Sequence, residues 1–142
     1  MDRVIMDASV FMKWALDEQY ADEAYALRDA HIMKRLTIVV PSIFYYEVLN
    51  ATRYSKGCTQ ERLGAVAEAL DNYAFESFDL RERLATLASE VSVKHDISMY
   101  DAAYVALAIL TRSCLYTADE KLIKDVKSPY VRHIKDFNSR GK

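Results

Sequence analysis

Arg3-Val4-Ile5-Met6-Asp7-Ala8-Ser9-Val10 carries the first decision about the fold. A short, mainly apolar run without helical spacing reads as a buried strand, Arg3–Met6. The run stops at an acid. Ser9 is then placed to cap a helix through Phe11, Met12, Ala15 and Leu16. A carboxylate buried without a partner is costly, so Asp7 at the end of such a strand needs a capping role or a cation.

The same alternation continues outward from this unit. Tyr20–Arg35 has a helical apolar face of Ala24, Leu27, Ile32 and Leu36, and Thr37–Val40 is β-branched and apolar, a second buried strand. Pro41 and Ser42 suit the start of a helix through Phe44, Val48 and Ala51 to about Lys56, stopped by Gly57. Thr59 caps a helix through Leu63, Val66 and Leu70, and Phe75–Phe78 is a third strand. Asp79 with Glu82, and Ser98 with Asp101, make two cap-like starts, to helices reaching Lys94 and passing Val105, Leu107 and Leu110. Cys114–Thr117, Asp119–Asp125 and Tyr130–Ile134 add a strand, a short helix and a last strand. Every connection is long enough for a crossover. The expectation is therefore an α/β domain with a mainly parallel five-stranded sheet covered on both faces.

Composition sets the limits. A chain of 142 residues, 51% hydrophobic and 28% charged, suits one domain over residues 1–142, with a tail from about residue 137. Three glycines leave no Gly-rich phosphate loop and argue against a turn-rich sandwich or barrel. Two distant cysteines, Cys58 and Cys114, support neither a disulfide framework nor a sulfur metal site. His31, His95 and His133 lack ligand spacing and read as surface or packing residues. With no leader-like start and no apolar run of membrane-spanning length, the expectation is a soluble, cytoplasmic protein. The net charge of −2 is unevenly spread: residues 121–142 carry seven Lys/Arg against two acids. That is either a solvated basic tail or an edge suited to a polyanion.

In parallel sheets ligands bind beyond the carboxyl ends of the strands, where strand order reverses. Asp7 and Asp119 follow the first and fourth strands, Glu47 lies two turns into the helix after the second, and Asp101 begins the helix before the fourth. All four can reach one end of the sheet. Each also has a plain alternative: helix caps for Asp7 and Asp119, a capping box for Asp101, an exposed helix position for Glu47. Together they would repel one another unless a divalent cation intervened, and oxygen-only ligands suit Mg²⁺ or Mn²⁺. Ser9, Asn50 and Thr117 are the polar residues beside them, placed to orient a carboxylate or a metal-bound water, or simply to cap and turn. Tyr46, Tyr54 and Tyr100 are candidates to stack a base.

Four segments carry a resemblance. Val4–Val10 resembles the opening strand and acidic turn of the PIN-domain nucleases. Pro41–Ala51, with Glu47, resembles that family's second acidic helix. Tyr100-Asp101-Ala102-Ala103-Tyr104-Val105-Ala106-Leu107-Ala108 is similar to its most characteristic segment, and Leu115–Leu122, with Asp119, to its fourth. The order and spacing agree over nearly the whole chain, and the small size resembles the VapC-type toxins. The resemblance implies a three-layer α/β/α sandwich, one or two Mg²⁺ or Mn²⁺ ions, and phosphodiester cleavage, usually of RNA. It matches Asp7, Glu47, Asp101 and Asp119 to the acidic positions, and Ser9 and Thr117 to assisting ones. It also implies a small cognate antitoxin as partner and a homodimer. Apolar residues available for such contacts, or for the core, are Phe11, Trp14, Leu16, Tyr45, Leu49 and Tyr54. An RNA-processing nuclease that is not a toxin stays open. So do an Mg²⁺-dependent phosphoacceptor or phosphatase, which would want a further acid where Ala8 or Ser9 stands, and a non-catalytic interaction protein.

Overall fold

The computed structural model describes residues 2–16 and 18–138. Five strands, β1 (Asp2–Met6), β2 (Leu36–Pro41), β3 (Glu76–Phe78), β4 (Cys114–Thr117) and β5 (Val131–His133), form one sheet in the order β3-β2-β1-β4-β5. Every pairing is parallel, with Val4 opposite Ile38 and Cys114 in the central strand. The helices are α1 (Ala8–Leu16), α2 (Ala21–Ile32), α3 (Ile43–Arg53), α4 (Gln60–Tyr73), α5 (Glu82–His95), α6 (Met99–Thr111) and α7 (Glu120–Val126).

Strand order advances from β1 to β2 to β3 and then jumps back past β1 to β4 and β5. Right-handed crossovers therefore place α1–α4 on one face and α5–α7 on the other. The packing agrees: α1 lies against α2 and α3, α3 against α4, and α5 against α6. The result is the expected α/β/α arrangement. The reversal falls between β1 and β4, so their carboxyl ends frame the crevice.

Buried positions explain why these elements form. Val4, Ile5 and Met6 and Ile38, Val39 and Val40 are all buried, as strands covered on both faces require. In α6 every residue from Ala102 to Ala108 is buried. A helix apolar all round must lie between layers, and its alanines let the backbone approach closely. Phe11 and Trp14 also lie in this core rather than on a surface, and Leu16, Tyr45 and Leu49 pack against it. Tyr54 alone of the six contact candidates stays well exposed.

Several local expectations need correction. Ser9 does not cap α1; it lies within the helix, and its hydroxyl serves Asp7. Asp79 does not cap α5. Its carbonyl accepts from Arg81 N–H (2.9 Å) in a tight turn, and Glu82 takes φ +56°, which breaks the capping-box geometry. Pro41 ends β2 instead of starting α3, and α3 stops at Arg53, a turn before Gly57. The helix expected to reach Arg35 stops at Ile32, just before Lys34 turns into the left-handed region (φ +61°). Phe137 is buried edge-to-face on Tyr116 (5.3 Å), so the chain stays packed to that point, while 139–142 lie outside the described residues. Thr59 does cap α4, accepting from Arg62 N–H (3.1 Å).

His31 ties the first face to the sheet. Its Nδ1 accepts from Ile38 N–H (3.0 Å), and its Nε2 lies 2.7 Å from the Tyr73 carbonyl. A backbone N–H only donates, so Nδ1 is the acceptor and the proton on Nε2 donates to Tyr73. His31→Ala leaves both backbone groups without this partner and should cost about 2 kcal/mol, seen as a lower midpoint in urea unfolding.

Candidate active site

The sheet brings Asp7, from the end of β1, beside Thr117, the last residue of β4. Asp7 is buried, and its Oδ2 accepts from Ser9 Oγ (2.6 Å) and Thr117 Oγ1 (2.8 Å). Those hydroxyl oxygens in turn accept from backbone N–H groups: Ser9 Oγ from Ala118 (3.0 Å), Thr117 Oγ1 from Asp119 (3.0 Å). Because the backbone groups only donate, each hydroxyl's single proton is left for Asp7. The direction of the network is thus fixed by covalent structure, and Asp7 is oriented as an acceptor.

The other acids come from helices. Asp101 sits in the first turn of α6, whose N-terminus is set by Ser98 Oγ accepting from Asp101 N–H (3.1 Å). Glu47 is half-buried on α3, and its Oε1 accepts from the Tyr104 hydroxyl (2.6 Å). Asp119 is exposed and caps α7, its Oδ1 accepting from Leu122 N–H (3.1 Å). The plain capping role foreseen for Asp119 is therefore real.

Electrostatics tie these groups together. Burial pushes the Asp7 carboxyl above the usual carboxylate range; the Ser9 and Thr117 hydroxyls pull it back, and Asp119 raises it further. Glu47 is raised first by burial, then by Asp7 and Asp101, against the Tyr104 hydroxyl. Asp101 is raised by burial, then by Asp7 and Asp119, while Ser98 and Lys121 lower it. Burial and the facing Asp7 and Glu47 push the Tyr104 hydroxyl far up, so it stays protonated as a donor. The acids thus share one region at the carboxyl end of the sheet. Among the described residues, no three His, Cys, Asp or Glu side chains are already drawn together as a metal-ligand set.

Two residues depart from the sequence expectation. Asn50, expected to orient Glu47, is exposed and makes no side-chain hydrogen bond among the described residues. Tyr104 fills that place. It lies one turn after Asp101, on the same face of α6, and is fully buried. That i, i+3 spacing is its sequence signal, masked by an apolar helix in which a tyrosine reads as core. Lys121 and Asp125 pair at 2.8 Å along α7. Both cysteines are free. Among the described residues no helix is long and apolar enough to cross a membrane.

The model of the PIN domain matches residues 4–128. The chain belongs to the PIN-domain family. Among solved structures, the PIN fold seen here is similar to VapBC2 from Rickettsia felis bound to a DNA fragment from its promoter: TM-score 0.69, 18% identity, covering 92% of this chain and 96% of that one. It is also similar to a toxin–antitoxin complex from Klebsiella pneumoniae (0.67, 18%, 90% and 94%) and to DNA-bound VapBC from Salmonella typhimurium (0.65, 16%, 94% and 97%). No curated protein matches the chain. PIN-domain membership makes the acid-lined crevice a candidate nuclease site.

The raised carboxyls fix the sign of a pH effect. At these carboxyls the folded PIN domain binds protons that the unfolded chain has already released, so their contribution to stability rises as pH falls from neutral through the raised values, while His133, lowered by burial, acts in the opposite sense. Asp7→Asn removes the most deeply buried of these charges. With divalent ions chelated, the variant should melt about 3 °C above wild type at neutral pH, and the gap should narrow on acidification. Equal melting at neutral pH would remove Asp7 as a source of strain.

Proposed function

We propose that this PIN domain is a metal-dependent endoribonuclease, the toxin of a toxin–antitoxin pair. The carrying observation is that Asp7, Glu47 and Asp101 come from three separate elements yet meet at one end of the sheet, where Tyr104 of α6, one turn after Asp101, donates to Glu47 of α3 (2.6 Å) and each carboxyl is raised first by burial and then by its acidic neighbours. Repulsion of this kind is what a divalent cation relieves, and the all-oxygen donor set fits Mg²⁺ or Mn²⁺. Asp7 and Asp101 would hold the main ion, with Glu47 and Asp119 completing its surroundings. When bound, the cation supplies a water of lowered pKa and charge relief on the phosphate.

The chain's own residues do the rest. Ser9 and Thr117 aim Asp7 through their fixed hydroxyls. Tyr104 holds Glu47 in place. Asp119, bound at its N–H and at Oδ1, is a rigid outer wall. Lys121, which tempers Asp101, places a cation at the edge of the acidic region, where a phosphate backbone enters. None of these groups needs the 2′-hydroxyl, so preference for RNA comes from shape and surface.

The toxin reading is supported over an RNA-processing role because the similar solved structures include toxin–antitoxin complexes. By that reading the partners are a small antitoxin protein and a second copy of the chain, and the place of action is the cytoplasm. A phosphoacceptor or phosphatase is disfavoured, because Ala8 and Ser9 stand where a further acid is needed.

Asp101→Asn should leave the melting profile of a folded protein and abolish Mg²⁺-dependent cleavage of a mixed RNA panel; retained cleavage refutes the assignment. Tyr104→Phe keeps the buried ring and removes the donor to Glu47. It should weaken Mn²⁺ binding by calorimetry and slow cleavage by about 10- to 100-fold, the usual effect of losing a partner that orients a ligand.

A further inference from the structure

Two tyrosines stand immediately before two of the acids: Tyr46 before Glu47 and Tyr100 before Asp101. Adjacent residues on a helix point about 100° apart, so when each acid faces the crevice its tyrosine turns outward. Both rings are largely in solvent, Tyr46 at 73% and Tyr100 at 61% exposure. They belong to different helices, α3 and α6, yet line the same groove of about 980 Å³. Glu47 itself is on the wall of that groove, as are Tyr45, Asn50 and Arg53. Arg53 pairs with no acid among the described residues; its guanidinium lies over the Tyr54 ring (4.9 Å), outside the groove's lining. The groove thus shares Glu47 with the acid site and carries two exposed aromatic faces, the Asn50 amide, the Arg53 cation and, on its far wall, the Asp79 carboxylate.

We infer that this groove binds the bases of single-stranded nucleic acid beside the scissile phosphate, with Tyr46 and Tyr100 as stacking platforms. The inference rests on the nuclease reading above and adds which side chains hold the bases. Bases in a duplex are already stacked and paired, so rings flanking the acids select unpaired strand. Stacking tolerates any base, since each has a π face, and the Arg53 guanidinium and Asn50 amide serve the backbone or base edges. Of the three exposed tyrosines that could stack a base, the groove selects Tyr46 and Tyr100 and leaves Tyr54 aside.

The test uses the full chain carrying Asp101→Asn, with Mg²⁺, and a fluorescent oligouridine of about ten nucleotides. Its comparators are the same strand with abasic sugars at its centre and a hairpin duplex. The unpaired, base-bearing strand should bind about tenfold more tightly than either. Tyr46→Ala and Tyr100→Ala should each remove most of that preference, while Tyr→Phe at either position keeps it. Equal affinity for base-bearing and abasic strands, or a preference untouched by both alanine variants, overturns the inference. So does an alanine variant that changes the mass by light scattering and leaves the preference intact, because the rings would then serve contact between copies of the chain. Cleavage by the unsubstituted chain, measured alongside, tests the nuclease reading by itself: cleavage with tyrosine-independent binding sinks only the groove.

Discussion

A carboxylate held out of water at the end of the central strand is the constraint around which this protein is arranged. Left alone, Asp7 would be an expensive defect in the core. The fold answers with hydroxyls whose donor sense is dictated by the backbone of the neighbouring strand end. That answer is partial, because burial and neighbouring acids still keep the carboxyl reluctant to ionise. In the proposed metal site, that residual unfavourable charge is what a bound cation would relieve. In the proposed site, stability of the free protein and readiness for metal would therefore be opposed at the same carboxylate.

The topology supplies this arrangement almost without loops. The reversal of strand order places β1 and β4 side by side with their crossovers on opposite faces. The space at their carboxyl ends is thus open, and Asp7, Ser9, Thr117 and Asp119 fall there through strand register. The helices α3 and α6 then bring Glu47 and Asp101 in from either face. Tyr104 closes the gap between those helices with one bond, using a residue that is core on all its other sides. Few glycines are needed, because these side chains are placed by strand ends and helices.

Most of this was legible in the sequence for a plain reason. Strands buried on both faces read as apolar runs, as at Val4–Met6 and Ile38–Val40, and an acid closing such a run is too costly to stand there without a use. What was not legible depended on tertiary pairing. Tyr104 is indistinguishable from a core aromatic until α3 lies opposite. Asn50, one turn from Glu47, shares its side of the helix but remains on the solvent edge. Ser9 reads as a cap because serine before an apolar helix usually is one; the true acceptor of its proton is Asp7, two residues before it, and its anchor is the N–H of Ala118. Asp79 and Glu82 have capping-box spacing, but the Asp79–Arg81 turn and the positive φ at Glu82 impose another geometry.

The direct pairing of β1 with β4, Val4 opposite Cys114, also governs when the crevice comes into being. Val4 and Cys114 stand near opposite ends of the sequence, so the loop to be closed is among the longest in the chain. During synthesis the first three strands and four helices emerge while Asp7 still lacks Thr117, Ala118, Asp101 and Asp119. The proposed hydrolytic centre is consequently complete only once β4 lies beside β1. A chain ending before β4 still carries Glu47 and Asp101, but Asp7 loses the Thr117 hydroxyl, Ser9 loses its Ala118 anchor, and the crevice lacks its second wall.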